Sequence, residues 1–433
     1  MSWKKVKLGD ICIIEKGAIG IQKAIPGEYP LVVTSEERKS HNEYQFDCEA
    51  VIIPLVSGTG HGHASIKRIH FQTGKFALGN ILCAVIPKDS NQLKSEYLFR
   101  FLDLNKENEL VARMKGMANV TLPIKEIAQI EIPLPSIEEQ VEFVETYKVL
   151  ETKSNSLSNE LSHQLTLVKK LRQSFLQEAV QGKLVAQNPD DEPASELLKK
   201  IKAEKEKLIA EKKLKKDKAL PPIQAEEIPF EIPEGWVWCR LGEIVEIVRG
   251  SSPRPKGDPQ YWSKITTPYH WITIADFTPY EKNGILTNTK GFLTEEGSKK
   301  SRIVKKGDLL IACSGVGSVG RSIQTGINGF IYDGLLAIRN IESETMKLMI
   351  QQFLKFKEEQ IYSVASGANW LNINIEVLSN YVFPLPPLSE QSRIVQKLDE
   401  LMQTCDELEA SIKESQAQNE KLLQQVLREA LRE

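Results

Sequence analysis

Two stretches of this 433-residue chain resemble each other closely: WKKVKLGDICIIEKG, which starts at Trp3, and WVWCRLGEIVEIVRG, which starts at Trp236. Both place Trp, Leu-Gly, an acidic residue, Ile and a final Gly at the same spacing. Each half of the chain then ends alike, in IPLPSIEEQ around Pro133 and in FPLPPLSEQ around Pro384, before a long helical pattern. The chain therefore contains two diverged copies of one unit, each a globular arm followed by a helix. Such a molecule suits a target that has two parts.

The length and composition of the chain limit the classes of protein to which it can belong. A chain of 433 residues predicts two or three domains, and 41% hydrophobic with 26% charged residues is typical of globular proteins. No apolar run approaches the length of about 18 residues that crosses a bilayer, and the start MSWKKVKLGD has no apolar core. We therefore expect no membrane span and no signal peptide. Six scattered cysteines without a CxxC pair favour free thiols in a cytoplasmic protein over disulfides or a zinc site.

The net charge of −2 conceals a partition along the chain. The arms at 1–135 and 236–387 carry +2 and +3, whereas the segments 136–187, 188–235 and 388–433 carry −1, −2 and −4. Mildly basic arms on acidic helices permit nucleic-acid binding, because a groove can be basic in a domain that is nearly neutral.

Both long helices are predicted from their boundaries and their apolar stripes. From Ser136 to Gln181 there is neither proline nor glycine, Ser136 with Glu139 forms a capping box, and Gly182 is a helix-stop signal. The stripe of this helix comprises Leu150, Leu157, Leu161, Leu165, Val168, Leu171 and Phe175. The second helix follows a 4-3-4-3 rhythm typical of a coiled coil at Ile394, Leu398, Leu401, Cys405, Leu408, Ile412, Ser415, Asn419, Leu422 and Val426.

Each predicted helix of about 45 residues is roughly 65 Å long, which is more than one arm can cover. We therefore expect the two helices to pack on each other, antiparallel and with pseudo-two-fold symmetry, rather than on their own arms. Ser415 and Asn419 inside the seam are candidates for fixing its register; a locally hydrated seam is the alternative.

The region between the first helix and the second arm reads as a charged linker. NPDDEPASELL predicts the start of a short helix, and residues 199–218 hold ten Lys against four acidic residues. A solvated charged helix is the expected structure, and contact with a phosphate backbone is the alternative. The predicted segments are an arm at 1–135, a helix at 136–187, a linker at 188–235, an arm at 236–387 and a helix at 388–433.

Within each arm the pattern is mixed, which predicts the α+β class. Short apolar, β-rich runs (VIIPLV and ILCAVIP; DLLIACS and GLLAIRN) are followed by helical patterns at about 94–114 and 344–364.

One motif resembles a nucleotide-binding loop. Gly315, Gly317 and Gly320 spell GxGxxG after an apolar run, but the following RSIQTGINGFIYDG predicts strand and turn where that motif requires a helix. There is no GxxxxGK[ST], HExxH or GxSxG, and no D/N-P-P-Y/F/W tetrapeptide of an amino-methyltransferase. His61 and His63 have metal-ligand chemistry, but without acids or thiols at ligand spacing a polar loop is the better interpretation.

Three loops rich in Gly, Ser, Asn, Lys and Arg occur at matching places in both arms. This mixture suits close approach to phosphates and hydrogen bonds to base edges; loops that merely turn the chain are the alternative. The candidate DNA-contacting residues of the first arm are Lys16, Ser57, Thr59, His61, Lys67, Lys115 and Asn119. Those of the second arm are Arg249, Ser251, Arg254, Lys256, Ser314, Ser318, Arg321, Asn369 and Trp370.

Taken together, these features resemble the specificity subunit of Type I restriction–modification systems. The resemblance is carried by GWVWCRLGEIV, the two PLPxxxEQ helix openings, LRQSFLQEAVQGKLVAQNPDDEPASELL and the Gly-Ala-Asn loop before PLPP, and it covers essentially the whole chain. The first helix opens with Ser136 where the second has Pro387, a mild departure.

The resemblance implies two tandem α/β target recognition domains joined by two antiparallel coiled-coil helices on which modification subunits dock. It implies double-stranded DNA, two methyltransferase subunits and restriction/translocase subunits as partners. S-adenosylmethionine, ATP and Mg²⁺ are then expected on those partners, with no cofactor, metal or catalytic residue in this chain. Two readers on a stiff spacer predict an asymmetric bipartite site with half-sites roughly 34 Å apart. A coiled-coil scaffold that never touches DNA, and a nucleotide-dependent enzyme built on the Gly315 loop, are the alternative functions.

Overall fold

The computed structural model describes residues 3–59, 63–117, 119–215, 218–280, 284–315, 317–367 and 373–430. Its contacts divide the chain into two compact units, 1–164 with 411–433 and 165–410. Both long helices contribute residues to both units, so these units cut through the helices instead of following the predicted segments.

The first unit contains two four-stranded sheets, of order β2-β9-β6-β7 and β4-β3-β8-β5, and the pair β1-β10. Its strands are β1 (Lys5–Lys7), β2 (Cys12–Lys16), β3 (Tyr29–Val32), β4 (Lys39–His41), β5 (Phe46–Asp47), β6 (Ala50–Pro54), β7 (His70–Gln72), β8 (Lys75–Leu78), β9 (Leu82–Pro87) and β10 (Glu131–Pro133). Its helices are α1 (Leu8–Ile11), α2 (Ser95–Leu104), α3 (Lys106–Glu109), α4 (Ile124–Ala128) and the first part of α5 (Ile137–Val180).

The second unit contains two five-stranded sheets, β12-β21-β18-β19-β15 and β13-β16-β14-β20-β17, and the pair β11-β22. Its strands are β11 (Val237–Arg240), β12 (Glu246–Arg249), β13 (Trp262–Ser263), β14 (His270–Ile272), β15 (Ile285–Leu286), β16 (Gly291–Leu293), β17 (Arg302–Val304), β18 (Leu309–Ala312), β19 (Ser322–Thr325), β20 (Gly329–Ile331), β21 (Leu335–Arg339) and β22 (Val382–Leu385). Its helices are α6 (Ala194–Ala210), α7 (Leu241–Ile244), α8 (Glu295–Lys299), α9 (Glu344–Gly367), α10 (Ile375–Ser379) and most of α11 (Leu388–Ala430).

The two units share one topology, which confirms the internal repeat and the α+β class. The order β2-β9-β6-β7 corresponds to β12-β21-β18-β19, and β4-β3-β8-β5 corresponds to β16-β14-β20-β17. In each second sheet one pair is parallel, β3 with β8 and β14 with β20. The second unit adds β13 and β15 at the sheet edges. All four β-rich runs of the sequence form central strands, because runs buried on both faces must consist of apolar residues.

Each arm is closed by the two segments that recur in the sequence. The first strand pairs with the strand of the PLP motif, β1 with β10 and β11 with β22. Trp3 Nε1 then donates to Glu139 Oε1 at 3.3 Å, and Trp236 Nε1 donates to Glu390 Oε2 at 2.9 Å. These contacts explain why Trp and PLPxxxEQ recur together.

The glutamine of PLPxxxEQ locks the start of each long helix. Gln140 Nε2 donates to the Pro135 carbonyl at 3.0 Å, and Gln391 Nε2 donates to the Pro386 carbonyl at 2.9 Å. Both glutamines are buried, so these hydrogen bonds give their side-chain NH2 groups the acceptors that a buried donor requires.

The capping box and the glycine stop predicted for the first helix are both confirmed, although the helix ends before residue 187. Ser136 N donates to Glu139 Oε2 at 2.7 Å and Glu139 N donates to Ser136 Oγ at 3.3 Å, which is the capping box. At the other end, Lys183 N donates to the Glu178 carbonyl at 2.8 Å around Gly182, whose φ of 68° suits glycine.

The long helices pair antiparallel within each unit. In the first, Asn419 Nδ2 donates to the Ser154 carbonyl and to Ser158 Oγ, both at 3.0 Å, and Leu427 packs with Phe143 and Val144. Asn419 therefore fixes helix register as the sequence predicts.

In the second unit, charged and apolar contacts join the two long helices, which are antiparallel there as well. Arg172 bonds Asp406 Oδ1 at 2.7 Å and Glu409 Oε2 at 2.9 Å, while Ile394 and Leu398 share a core with Leu176, Ala179 and Val180.

The prediction that a strict 4-3-4-3 pattern of residues is buried along the second long helix is wrong in part. Leu408 and Leu422 are 44% and 61% exposed, whereas Leu427 is buried and Leu423 packs partly against the first core. An undistorted α-helix repeats every 3.6 residues, so its buried face drifts away from a 3.5-residue seam. Leu157 and Leu171 of the first helix are also exposed.

The charged linker packs on the second arm. Ala194, Leu197 and Ile201 of α6 are buried in its core, and Lys205 Nζ donates to the Gly242 and Val245 carbonyls at 2.6 and 3.1 Å. The expectation of a solvated helix is therefore wrong for this face. In the sequence, lysines stand between these apolar residues, so the apolar face of the helix is not apparent. Most of those lysine side chains face solvent.

Downstream of α6, a buried arginine anchors the linker. Arg240 Nη1 and Nη2 bond the two carboxylate oxygens of Glu227 at 2.7 Å each, and the Pro221 and Pro222 carbonyls accept from Nε and Nη2 at 3.2 Å. Hydrogen bonds from Arg240 and from the Gln224 backbone lower the pKa of Glu227 to about 2, so the pair stays ionised at neutral pH. Among the described residues, no helix is long and apolar enough to cross a membrane.

Leu398→Ala should lower the free energy of unfolding of the second unit by about 2–5 kcal/mol, because it leaves a cavity in the shared core. Leu408→Ala, the matched change at an exposed position of the same helix, should cost less than about 1 kcal/mol. Urea unfolding followed by tryptophan fluorescence measures both. Equal costs would show that the helix pair is packed differently.

Candidate nucleic-acid interface

Sheet register brings the three predicted loops of the first arm to one place. Strands β2 and β6 both end beside the first residues of β9, with Lys16 opposite Cys83 and Pro54 opposite Leu82. The first and second loops therefore leave the same end of the sheet. The third loop joins them, because Ser57 N donates to the Val120 carbonyl at 2.9 Å.

The second arm repeats this arrangement. Arg249 ends β12 opposite Leu336, and Ala312 ends β18 opposite Leu335, so these two loops also leave one sheet end. The exit of the third loop is held by Ile373 N, which donates to the Cys313 carbonyl at 2.8 Å. The equivalent bond in the first arm runs from Leu122 N to the Leu55 carbonyl at 2.9 Å.

The recurring glycine of the first loop has a packing role. A Cβ added at Gly17 would overlap the Gly79 carbonyl, and one at Gly250 would overlap the Tyr332 carbonyl. The close approach that these glycines allow is therefore to the protein's own backbone. This packing accounts for glycine at these two positions.

The candidates of the first arm differ in what their side chains already contact. Lys16, Lys67 and Asn119 are exposed. Lys115 is also exposed, but its Nζ pairs with Glu126 Oε1 at 2.7 Å. The hydroxyls of Ser57 and Thr59 both donate to the His63 carbonyl, at 2.6 and 3.2 Å, and so shape the second loop from within. His61 lies outside the described residues.

In the second arm, the first loop and Asp333 form one network. Arg249 Nε donates to the Asp333 carbonyl at 2.9 Å, Ser252 Oγ donates to Asp333 Oδ1 at 2.6 Å, and Arg254 Nη2 lies 3.3 Å from Oδ2. Ser251 Oγ donates to the Lys300 carbonyl at 3.2 Å.

The remaining candidates of the second arm are more loosely grouped. Lys256 is exposed, Ser314 bonds the Tyr332 hydroxyl, and Ser318 is half-buried with its N–H donating to the Gly315 carbonyl. Arg321 Nη2 lies 3.4 Å from Thr278 Oγ1. Asn369 and Trp370 lie outside the described residues.

The network borders a cleft of about 460 Å³. Its lining includes Ser252, Arg254, Lys256, Trp262, Trp271 and Asp333. Burial by itself raises the pKa of the Asp333 carboxyl, but the Ser252 hydrogen bond, its own backbone N–H and the charges of Arg254 and Arg249 together lower it below its usual value. The cleft thus presents cations around an ionised carboxylate.

Sequence reasoning missed the role of Asp333. Its partners lie about 80 residues earlier in the chain, and only the neighbouring strands β12 and β21 bring the two loops together. No local pattern signals such a pair.

A second missed feature is a basic cluster beside β7 of the first unit. Arg38 Nη1 lies 3.2 Å from His70 Nδ1, and its Nε donates to Gln72 Oε1 at 3.0 Å. Arg68 pairs with Glu36 at 2.7 Å. Burial, followed by the charges of Arg38 and Arg68, lowers the pKa of His70 to about 4, so its ring is neutral at pH 7.

The structure excludes the nucleotide-loop interpretation of Gly315, Gly317 and Gly320. The chain after them continues as turn and then as strand β19, with no helix to receive a phosphate. Burial raises the pKa of the nearby Cys313 thiol to about 11, which makes it a poor nucleophile.

All six cysteines are free thiols. Within the part of the chain that the structure describes, no three His, Cys, Asp or Glu side chains form a group that could hold a metal ion.

Comparison with known proteins identifies the two repeated regions. The family model described as the Type I restriction modification DNA specificity domain matches residues 1–167 and 233–416. The Type I restriction enzyme EcoAI specificity subunit of Escherichia coli is 35% identical over 265 residues, which cover 56% of this chain and 41% of that protein. The EcoEI specificity subunit of the same organism is 33% identical over 261 residues, which cover 57% and 42%. The chain thus spans less than half the length of these curated relatives.

A solved structure concerned with complex assembly and conformational transition of the type I R-M system contains a similar chain. The TM-score is 0.68 at 20% identity, and the match covers 100% of this chain and 98% of the other. At this level of identity, the likeness shows a common fold.

The first unit should lose stability as the pH falls from about 6.5 to about 4, because an unfolded His70 takes up a proton in this range and the folded residue does not. His70→Gln should reduce this loss, which urea unfolding at pH 7.5 and 5.0 measures. His63→Gln, at an exposed histidine of the same unit, is the control. Identical pH dependence in His70→Gln and wild type would contradict the buried neutral ring.

Proposed function

Since the chain belongs to the Type I restriction-modification DNA specificity family, we propose that it selects the DNA sequence for such a system, with each arm reading one half of an asymmetric bipartite site. The observation that carries the proposal is the repeated gathering of three loops at one sheet end in each unit. These loops carry the Lys, Arg, Asn and Ser side chains that contact phosphates and base edges.

The arms differ in the chemistry of their loops. The second arm has the Asp333 network and its cleft. The first arm has a loop in which Ser57 bonds the His63 carbonyl, and it has the basic cluster beside β7 that contains Arg38. Two readers with different loops predict two different half-sites. Readers on one face of a duplex require half-sites about one helical turn, roughly 34 Å, apart.

The chain acts without chemistry of its own in this proposal. Partner subunits carry out the methylation, and they flip an adenine out of the base stack so that it can enter their active site. S-adenosylmethionine, ATP and Mg²⁺ bind those partners, and the complex works in the cytoplasm.

The long helices are the proposed docking surface for two methyltransferase subunits, with restriction/translocase subunits joining the same assembly. Leu157 and Leu422 in the first unit, and Leu171 and Leu408 in the second, leave apolar side chains on the helices exposed. Apolar side chains that a helix pair does not bury gain free energy when a partner covers them.

Exchange of residues 236–387 for the equivalent arm of a relative should change one half of the methylated sequence and leave the other half intact, because each arm carries its own loops. Methylome sequencing of a host that carries each chimera reads the result. A change in both halves, or in neither, would contradict the two-reader proposal. Insertion of a helical turn near Gln177–Gly182 is the matched control, because it should alter the spacing and neither half-site.

Leu408→Glu should weaken assembly with the methyltransferase subunits while leaving the fold intact, since it puts a charge on an exposed apolar position of α11. Ile265→Glu makes the same change at an exposed loop residue off the helices and should assemble normally. Size-exclusion chromatography of the co-expressed subunits measures assembly. Normal assembly of Leu408→Glu would remove this position from the docking surface.

A further inference from the structure

The loop at residues 251–256 is anchored near both of its ends by hydrogen bonds to the rest of the arm. Ser251 N donates to the Ile331 carbonyl at 3.0 Å, and Trp262 Nε1 donates to the Pro255 carbonyl at 3.2 Å. Trp262 is itself supported edge-on by Trp271, with ring centroids 5.0 Å apart. A loop with anchored ends has less conformational entropy to lose on binding than a free one and therefore suits recognition.

Within this loop, one arginine is both exposed and oriented. The Arg254 side chain is 71% exposed, and an ion pair from its Nη2 to Asp333 Oδ2 at 3.3 Å engages one end of the guanidinium. Asp333 is in turn fixed by Ser252 Oγ at 2.6 Å from Oδ1. A guanidinium presents five N–H donors in a planar fork, so one carboxylate contact leaves donors for a ligand.

The Asp333 carboxylate determines which kind of ligand Arg254 can bind favourably. A phosphate on Arg254 would also approach the ionised Asp333, and like charges repel. The edge of a guanine has two neighbouring acceptors, N7 and O6, and no net charge, so Asp333 does not oppose it. Arginine binding both acceptors of a guanine is the commonest specific contact to DNA.

We infer that Arg254, positioned by Asp333, reads a guanine in the half-site of the second arm. The inference rests on the proposed function and deepens it, since it assigns one base type to one residue. Arg254 is the reading residue, and Asp333 is a positioning residue that acts through it.

The test is selection from a random double-stranded DNA library by the full chain assembled with the modification subunits of its system. Wild type, Arg254→Ala, Asp333→Asn and the control Glu296→Gln are compared. Glu296 is a carboxylate in an ion pair with Lys299 on the surface of the same unit, so Glu296→Gln removes a carboxylate that is not part of the Arg254–Asp333 pair. Affinities for the selected site and for each single-base change are then measured by titration, and thermal unfolding is recorded for every variant.

Arg254→Ala should lower the preference for guanine at one position of one half-site by about 5- to 150-fold, the range for one bidentate base contact. Asp333→Asn should reduce the preference at that same position by less, without weakening binding to unrelated DNA, because the arginine keeps its charge and loses its orientation. Glu296→Gln should leave the selected sequence unchanged. An Asp333 that only supported the fold would instead lower the unfolding temperature and weaken all sequences alike.

Two outcomes overturn the inference. If Arg254→Ala weakens binding to every sequence equally and makes binding less dependent on salt, Arg254 contacts a phosphate. If the wild type selects a bipartite site in which neither variant relaxes a guanine, the assignment is wrong and the proposed function stands. A wild-type assembly that selects no sequence would overturn both, so the two failures are distinguishable.

Discussion

Each arm depends on the strand pair that closes it and on the tryptophan that ties this pair to a long helix. The first strand pairs with the PLP strand, and the tryptophan indole donates to a carboxylate in the first turn of the helix that follows. In the second arm this carboxylate, Glu390, is buried and also accepts from Gln187 at 2.7 Å. Burial raises the pKa of Glu390, and the two hydrogen bonds oppose that rise. Because strand and helix are fixed to each other, the sheet end that carries the loops has a defined position within its unit.

On this common frame the two arms have diverged where the loops lie. Equivalent backbone hydrogen bonds survive in both, such as Leu122 N to Leu55 O and Ile373 N to Cys313 O. The side chains beyond them do not correspond: the first arm bonds its Ser57 loop internally, and the second builds an arginine network around Asp333. The two arms thus share a frame of strands and differ in the loops at the strand ends, where a rigid scaffold commonly positions functional side chains.

The helix pair combines apolar packing with polar contacts that specify its alignment. Asn419 reaches two acceptors of the facing helix, and Arg172 reaches two carboxylates, so a shift of one turn would leave these groups without their partners. Loss of buried or half-buried polar contacts costs more than loss of an exposed one. The pair is therefore held in one register although several of its leucines remain exposed.

Several features of this protein follow from the sequence by itself, because they depend on local chemistry. The capping box at Ser136, the stop at Gly182 and the central apolar strands are set by neighbouring residues, and a repeat can be read directly from Trp3 and Trp236. Only the tertiary structure determined the features that depend on contacts between residues far apart in the chain. Asp333 contacts Arg254 and Arg38 contacts His70 across long stretches of chain. The apolar face of α6, whose residues are separated by lysines in the sequence, packs in the core of the second arm. The exposed leucines have the same origin, since the geometry of the packed helices, and not the spacing of leucines along the chain, determines which side chains are buried.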